Sequence, residues 1–237
     1  MMVYGWRGII GVMHPAPGLS METEFHKISP EGVAVVTTRI PFTKSTPETL
    51  INLANYVEEA ADLLAQASPN LIVFFCTAGS FIKGIGYDKE IMNKIESRVG
   101  IPALTTSTAV IDSLTALNVK KIAVATPYIE EVNEKERSFL EDSGFRVTKI
   151  KGLGRLGKMG YVEHGEMHHL VKEVYTQEAD ALFISCTGLC VMGMIDGLEK
   201  ELQKPVITSN QATFWAALRR LNIKDPVKGY GKLFLTA

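Results

Sequence analysis

Cys76 and Cys186 close two apolar runs that read almost alike, LIVFFCTAGSF over residues 71–81 and ALFISCTGLCV over 181–191, each cysteine followed by threonine and a nearby glycine. A thiol at the end of a buried strand, where the chain turns into a helix, faces unpaired backbone N–H groups and the positive end of a helix dipole. That field holds carboxylates, and it is expected to make such a thiol easier to ionise than one in an ordinary core. Two such thiols on opposite faces of one bound carboxylic acid could act together, one removing a proton and the other supplying one from the far side. The outcome of that geometry is inversion. A cysteine can equally serve as a small buried hydrophobe, and this is the reading for Cys190, which has no counterpart near Cys76.

The elements that must position these thiols follow from the apolar pattern. Runs of strand length rich in valine and isoleucine recur at 8–13, 33–38, 71–75, 102–106, 121–126, 145–150, 181–185 and 205–209. Their apolarity is continuous rather than alternating, as in strands of a parallel sheet covered on both faces. Between them lie helical patterns. Residues 46–67 predict one helix with an apolar stripe, capped by Ser45-Thr46-Pro47, and residues 127–145 predict another closed by Gly144.

The strands divide into two sets of four whose landmarks superpose. Pro15 pairs with Pro127, Cys76-Thr77 with Cys186-Thr187, and IPALTTSTAVIDSLTALNVK with KPVITSNQATFWAALRRLNIK, ending in LNVK and LNIK. An internal duplication accounts for this order. The expected fold is α/β: two pseudo-symmetric lobes, each a four-stranded parallel sheet flanked by helices, with the active site in the cleft between them. Residues 1–117 plus 210–237 are assigned to the first lobe, with the C-terminal helix crossing back, and 118–209 to the second. Ligands of such sheets collect at the carboxyl ends of the strands, where both cysteines lie.

Other signals narrow the chemistry. Lysine and arginine number 25 against 26 acidic residues, which gives no nucleic-acid or membrane-surface footprint. No apolar run approaches the roughly 18 residues of a membrane span, and no leader is recognised, so the expected compartment is cytoplasmic with the cysteines as free thiols. His164, His168 and His169 in EHGEMHHL lack the HExxH order and read as a polar helix start, and no metal is expected. His14, beside Pro15, is left open as a cleft residue. GLGRLGK, 152–158, matches a dinucleotide glycine pattern by letter but follows the second strand of its unit, so it reads as a flexible lid and no cofactor is expected. Pro15 and Gly18, in the loop over residues 14–22, are assigned to substrate contact and specificity.

GVMHPAPGLSMETE, CTAGSF, TTSTAVIDSLTALNVKKIAVATPYIEEVNE, SCTGL and GYGKLF together resemble the aspartate/glutamate racemase superfamily, in the branch that contains arylmalonate decarboxylases and maleate cis-trans isomerases. The resemblance implies cofactor-independent chemistry on small carboxylates, self-association, and a carboxylate held by Thr77, Ala78, Thr187, Gly188 and Tyr128. Arylmalonate decarboxylases carry glycine where this chain has Cys76. Maleate isomerases carry both cysteines but an asparagine where this chain has Gly18.

The leading expectation is a racemase or isomerase of a small carboxylic acid that uses Cys76 and Cys186 as acid and base, on an amino acid or related acid or on a maleate-type double bond. An arylmalonate-type decarboxylase is the alternative within the same chemistry. A carboxylate-binding protein without catalysis is the alternative outside it.

Overall fold

The computed structural model describes residues 4–236. In the first half the elements run β1 (Gly8–Pro15), α1 (Ser20–Ile28), β2 (Val33–Ile40), α2 (Pro47–Asn52), α3 (Val57–Ala65), β3 (Leu71–Phe74), α4 (Thr77–Phe81), α5 (Tyr87–Val99), β4 (Ala103–Thr105) and α6 (Thr106–Ala116). In the second they run β5 (Lys121–Thr126), α7 (Glu130–Asp142), β6 (Arg146–Gly152), α8 (His164–Val174), β7 (Ala181–Ile184), α9 (Ile195–Leu202), β8 (Val206–Thr208) and α10 (Ser209–Arg220).

Each half forms its own four-stranded, all-parallel sheet, and the strand orders are the same: β2-β1-β3-β4 and β6-β5-β7-β8. All eight expected strands are present. Strands β3, β4, β7 and β8 are buried along their whole length, which is why their sequences show no alternation. In both sheets the strand order reverses beside the first strand of the set. A crevice for a ligand therefore opens between the carboxyl ends of β1 and β3, and again between those of β5 and β7.

The duplicated LN[VI]K tails have a structural meaning. Asn118 and Asn222 both take positive φ, 53° and 57°, and the next amides return to the helices, Val119 N–H to the Leu114 carbonyl and Ile223 N–H to the Leu218 carbonyl. Asparagine tolerates the left-handed conformation, so each tail ends its helix in the same way. The two helices so capped, α6 and α10, pack against each other, and α10 also touches α1 and β3. Small side chains allow the approach, and the Thr213 hydroxyl lies 3.2 Å from that of Thr106.

One helix departs from expectation. Residues 46–67 form α2, a 3₁₀ turn over Leu53–Asn55, and α3 rather than a single helix. Thr46 caps the start reciprocally with Thr49, and Pro47 occupies the first turn as expected. Asn52, Asn55 and Tyr56 are weak helix formers, and the tightened turn keeps Leu50, Leu53, Val57, Ala60 and Leu64 buried. The second expected helix is α7, and Gly144 follows it at φ 93°.

Among the described residues, no helix is long and apolar enough to cross a membrane.

Candidate active site

Both crevices open into one cavity of about 740 Å³, and Cys76 and Cys186 both line it. From the first half it is also lined by His14, Pro15, Gly18 and Ala78, and from the second by Tyr128, Thr187 and Gly188. Six of the seven residues assigned to substrate contact thus border the same space as the two thiols. Thr77 does not line it. The first turn of α4 directs its hydroxyl into the interface, where it donates to Ser209 Oγ at 2.9 Å.

The local backbones of the two cysteines differ. Cys76 precedes α4 in extended conformation, φ −154° and ψ 109°. Gly79 lies beneath its sulfur, and a Cβ there would stand 2.9 Å from Sγ, so only glycine leaves the thiol its place. Cys186 has φ 111°, a conformation that L-residues rarely adopt. It is followed by an irregular turn and a 3₁₀ segment, Met192–Met194, before α9 begins at Ile195. The expected helix start at the second cysteine is therefore absent. In its place the Ser209 hydroxyl accepts from the Cys186 amide at 3.0 Å and the Gly188 amide points to Cys186 Sγ at 3.3 Å. Ser209, wholly buried, links the turn after Cys76 to the backbone of Cys186.

Electrostatics also correct an expectation. The thiols are harder to ionise than ordinary cysteine: burial pushes Cys76 up to about 12 and Cys186 up to about 11. Desolvation outweighs the nearby amides because both sulfurs are buried by surrounding side chains. The Tyr128 hydroxyl and the amides of Gly188 and Leu189 act against the rise at Cys186, whereas only the Gly79 amide does so at Cys76. Negative charge is thus better tolerated at Cys186. Tyr128 is itself within electrostatic reach of both sulfurs, and burial first, then the charge of Cys186, holds its hydroxyl protonated far above the usual tyrosine range.

His14 is buried at the cavity floor, its Nε2 3.5 Å from Glu22 Oε1. Burial and then Arg39 hold it below the ordinary imidazole range, so near neutrality it is uncharged. The GLGRLGK segment runs to the rim: Leu156, Gly157 and Lys158 line the cavity, and the Leu156 carbonyl accepts from the Ser45 amide at 2.7 Å. The glycines serve this turn, with Gly154 at φ 69°. His164 Nε2 lies 2.8 Å from the Cys190 carbonyl and His168 Nε2 2.8 Å from Glu201. Among the described residues, no cluster of histidine, cysteine and acidic groups suits a metal ion.

Sequence reasoning missed a polar bridge behind the site. Ser20 Oγ donates to the Thr187 carbonyl at 2.7 Å. Asn210 Nδ2 donates to a carboxylate oxygen of Glu24, whose other oxygen accepts from the Met192 amide at 3.3 Å. These bonds tie α1 to the chain on either side of Leu189. No motif marks them, because the partners lie more than 160 residues apart in sequence.

Burial raises Glu24 to about 7, against the opposing effects of Asn210, Met192, Lys27 and His164. The folded protein therefore keeps this proton at pH values where the unfolded chain has released it. The resulting stability is present below the unfolded pKa and is lost as pH rises through about 7. Glu24→Gln, which has no proton to release over this range, should gain stability relative to wild type as pH rises from 5 to 8. Melting temperatures measured across that range check this, and parallel curves would contradict it.

The family model described as arylmalonate decarboxylase matches residues 10–234. Among curated proteins, arylmalonate decarboxylase of Bordetella bronchiseptica is 30% identical over 194 residues, covering 80% of this chain and 81% of that protein. Maleate isomerase of Nocardia farcinica is 25% identical over 239 residues, covering 94% of each. A crystal structure of a liganded arylmalonate decarboxylase variant, with one glycine changed to cysteine and one cysteine to serine, superposes at TM-score 0.90 with 28% identity, covering 96% of this chain and 98% of that one. The fold is shared as well with Nocardia farcinica maleate cis-trans isomerase carrying a covalently bound succinylcysteine intermediate, at TM-score 0.93, 21% identity, and coverage of 96% and 98%.

Proposed function

This chain belongs to the arylmalonate decarboxylase family, and within it we propose a cofactor-independent racemase or isomerase that acts on a small carboxylic acid through Cys76 and Cys186. The observation that carries the reading is the convergence of the two thiols, one from each lobe, on a single cavity that Tyr128 also lines.

The geometry supports the following steps. The substrate carboxylate enters the floor between the two cysteine turns. Cys186, where more hydrogen-bond donors offset burial, supplies the thiolate that takes the α-proton as the C–H electron pair moves into the carboxylate. The enediolate so formed is held by Tyr128 and by the amides that follow the cysteines. The Cys76 thiol then gives its proton to the opposite face, leaving its own sulfur anionic and the carbon inverted. The other enantiomer uses the thiols in reversed roles. On a cis double bond the same thiolate would add to carbon, allow rotation about the resulting single bond, and leave again.

The cavity bears on the substrate. Leu19, Met21, Phe42, Leu50, Leu156 and Met159 give it an apolar wall above the polar floor. A four-carbon diacid would fill only a small part of 740 Å³, so an acid bearing an aromatic or branched apolar substituent suits the site better.

Decarboxylation is the second reading, and the raised thiol pKa values favour it: both sulfurs rest protonated and poised as donors. Loss of CO2 from a substituted malonate leaves the same enediolate, and protonation from two sides would give racemic product. Incubation in deuterated water with aspartate, glutamate, maleate, and aryl-substituted malonates and propionates tests the proposal. Deuterium at the α-carbon of an aryl-substituted propionate is the expected result. Binding of these acids without α-exchange, isomerisation or CO2 release would contradict it and indicate a carboxylate-binding protein.

A further inference from the structure

A fully buried carboxyl group that the proposed steps do not use stands behind Cys186. Glu136, in α7, is 1% exposed, and one of its oxygens accepts a hydrogen bond from the hydroxyl of Ser185, the residue immediately before Cys186. Its other oxygen, Oε2, is buried without a hydrogen-bond partner. The group acts electrostatically on both Cys186 and Tyr128. A carboxylate there would leave one oxygen unsolvated, at a cost that favours the neutral acid.

Among the described residues, no cation faces it to offset that cost. Arg137, its neighbour on α7, pairs with Glu134 and Glu141. The lysines of β6, Lys149 and Lys151, are bonded to Glu173. Helix α4, which packs on α7, carries no charged residue. The ionisable groups that do face it are Cys186 and Tyr128, with Cys76 beyond, and all three carry a negative charge when ionised.

We propose that Glu136 is a positioning residue that gates charge at Cys186: as a neutral acid it anchors the strand end through Ser185 and permits a thiolate, and once ionised it opposes one. The inference rests on the reading of Cys186 as an acid/base group, but its test needs no substrate, so it can fail while the proposed reaction stands. On the same logic, catalysis that passes negative charge through Cys186 weakens on the alkaline side before the thiol itself titrates.

The test uses a Cys76→Ala, Cys190→Ala background in which Cys186 is the sole thiol. The rate of its alkylation by iodoacetamide, read by intact mass, is followed from pH 6 to 10. A lone thiol well below its pKa gives a logarithmic rate that rises by one decade per pH unit. With Glu136 present, the line should drop to a lower parallel course across the ionisation of Glu136 near pH 8, a shortfall of about threefold or more for a shift of about half a unit in the thiol.

Glu136→Gln should remove the step and give one straight line. A merely looser fold would raise the whole line and leave the step in place. Ser185→Ala, which deletes the bond that lowers the Glu136 pKa, should move the step to higher pH, and it serves as the deciding variant if Glu136→Gln does not fold. A straight line in the background protein, a step that survives Glu136→Gln, or one that stays put in Ser185→Ala would each overturn the proposal.

Discussion

Cys76→Ala and Cys186→Ala are each expected to abolish inversion of the substrate while leaving the fold intact. Both thiols are buried at the ends of central strands, so removing one sulfur leaves a small hole, a loss of about 1 kcal/mol that a protein of this size tolerates. The effect on chemistry is larger. Deleting a positioned acid or base typically costs ~10²–10⁴ in rate, and inversion needs both groups in every turnover. The two variants should also fail differently. Cys76→Ala keeps the thiol best able to carry charge and should retain slow α-proton exchange in one enantiomer. Cys186→Ala loses the tyrosine-assisted thiolate and should retain less, in the other enantiomer. Chiral chromatography with mass detection of deuterium taken up from deuterated water, alongside melting curves, reads both outcomes. Near-wild-type inversion by either variant would remove that thiol from the mechanism.

Gly152→Ala is expected to damage stability and activity together, though residue 152 carries no chemistry. The last residue of β6 passes so close to the segment after β5 that a Cβ there would stand 2.1 Å from the Tyr128 carbonyl oxygen, 2.7 Å from Asn133 Nδ2 and 2.8 Å from Thr126 Oγ1. The neighbours are bound in place. Thr126 Oγ1 donates to Asn133 Oδ1 and accepts from the Tyr128 amide, and the Tyr128 carbonyl accepts from Gly154. Backbone must therefore move, and forced overpacking of this kind costs about 1–3 kcal/mol. Because the displaced residue is Tyr128, turnover should fall by more than the loss of stability explains. A variant with wild-type melting temperature and turnover would show that the strand end yields without moving the tyrosine.

The parts legible in the sequence were those set by periodicity and repetition. Buried parallel strands announce themselves as apolar runs, and the matched CT pairs placed both thiols at the crevices because strand ends are where such sheets keep ligands. What escaped reading depended on partners far apart in the chain. Ser209 looks like any first-turn serine until it bonds Thr77 on one side and the Cys186 amide on the other. Glu24 and Glu136 belong to no motif, yet each turns inward to a polar partner contributed from elsewhere. The expected ease of thiol ionisation fails for a related reason: amides near a helix start are visible in a sequence, whereas the burial of both sulfurs emerges only when the two halves pack together. The break between α2 and α3 shows the limit from the other direction, since the apolar stripe runs unbroken through it.

The claim that two thiols serve opposite faces of one acid is tested most directly by converting a single enantiomer of an exchanging substrate in deuterated water and stopping at low conversion. Separate donor and acceptor predict one deuterium in the inverted product and almost none in the recovered starting enantiomer. Equal deuterium in both enantiomers from the first turnovers would contradict the account, because it requires one group to serve both faces.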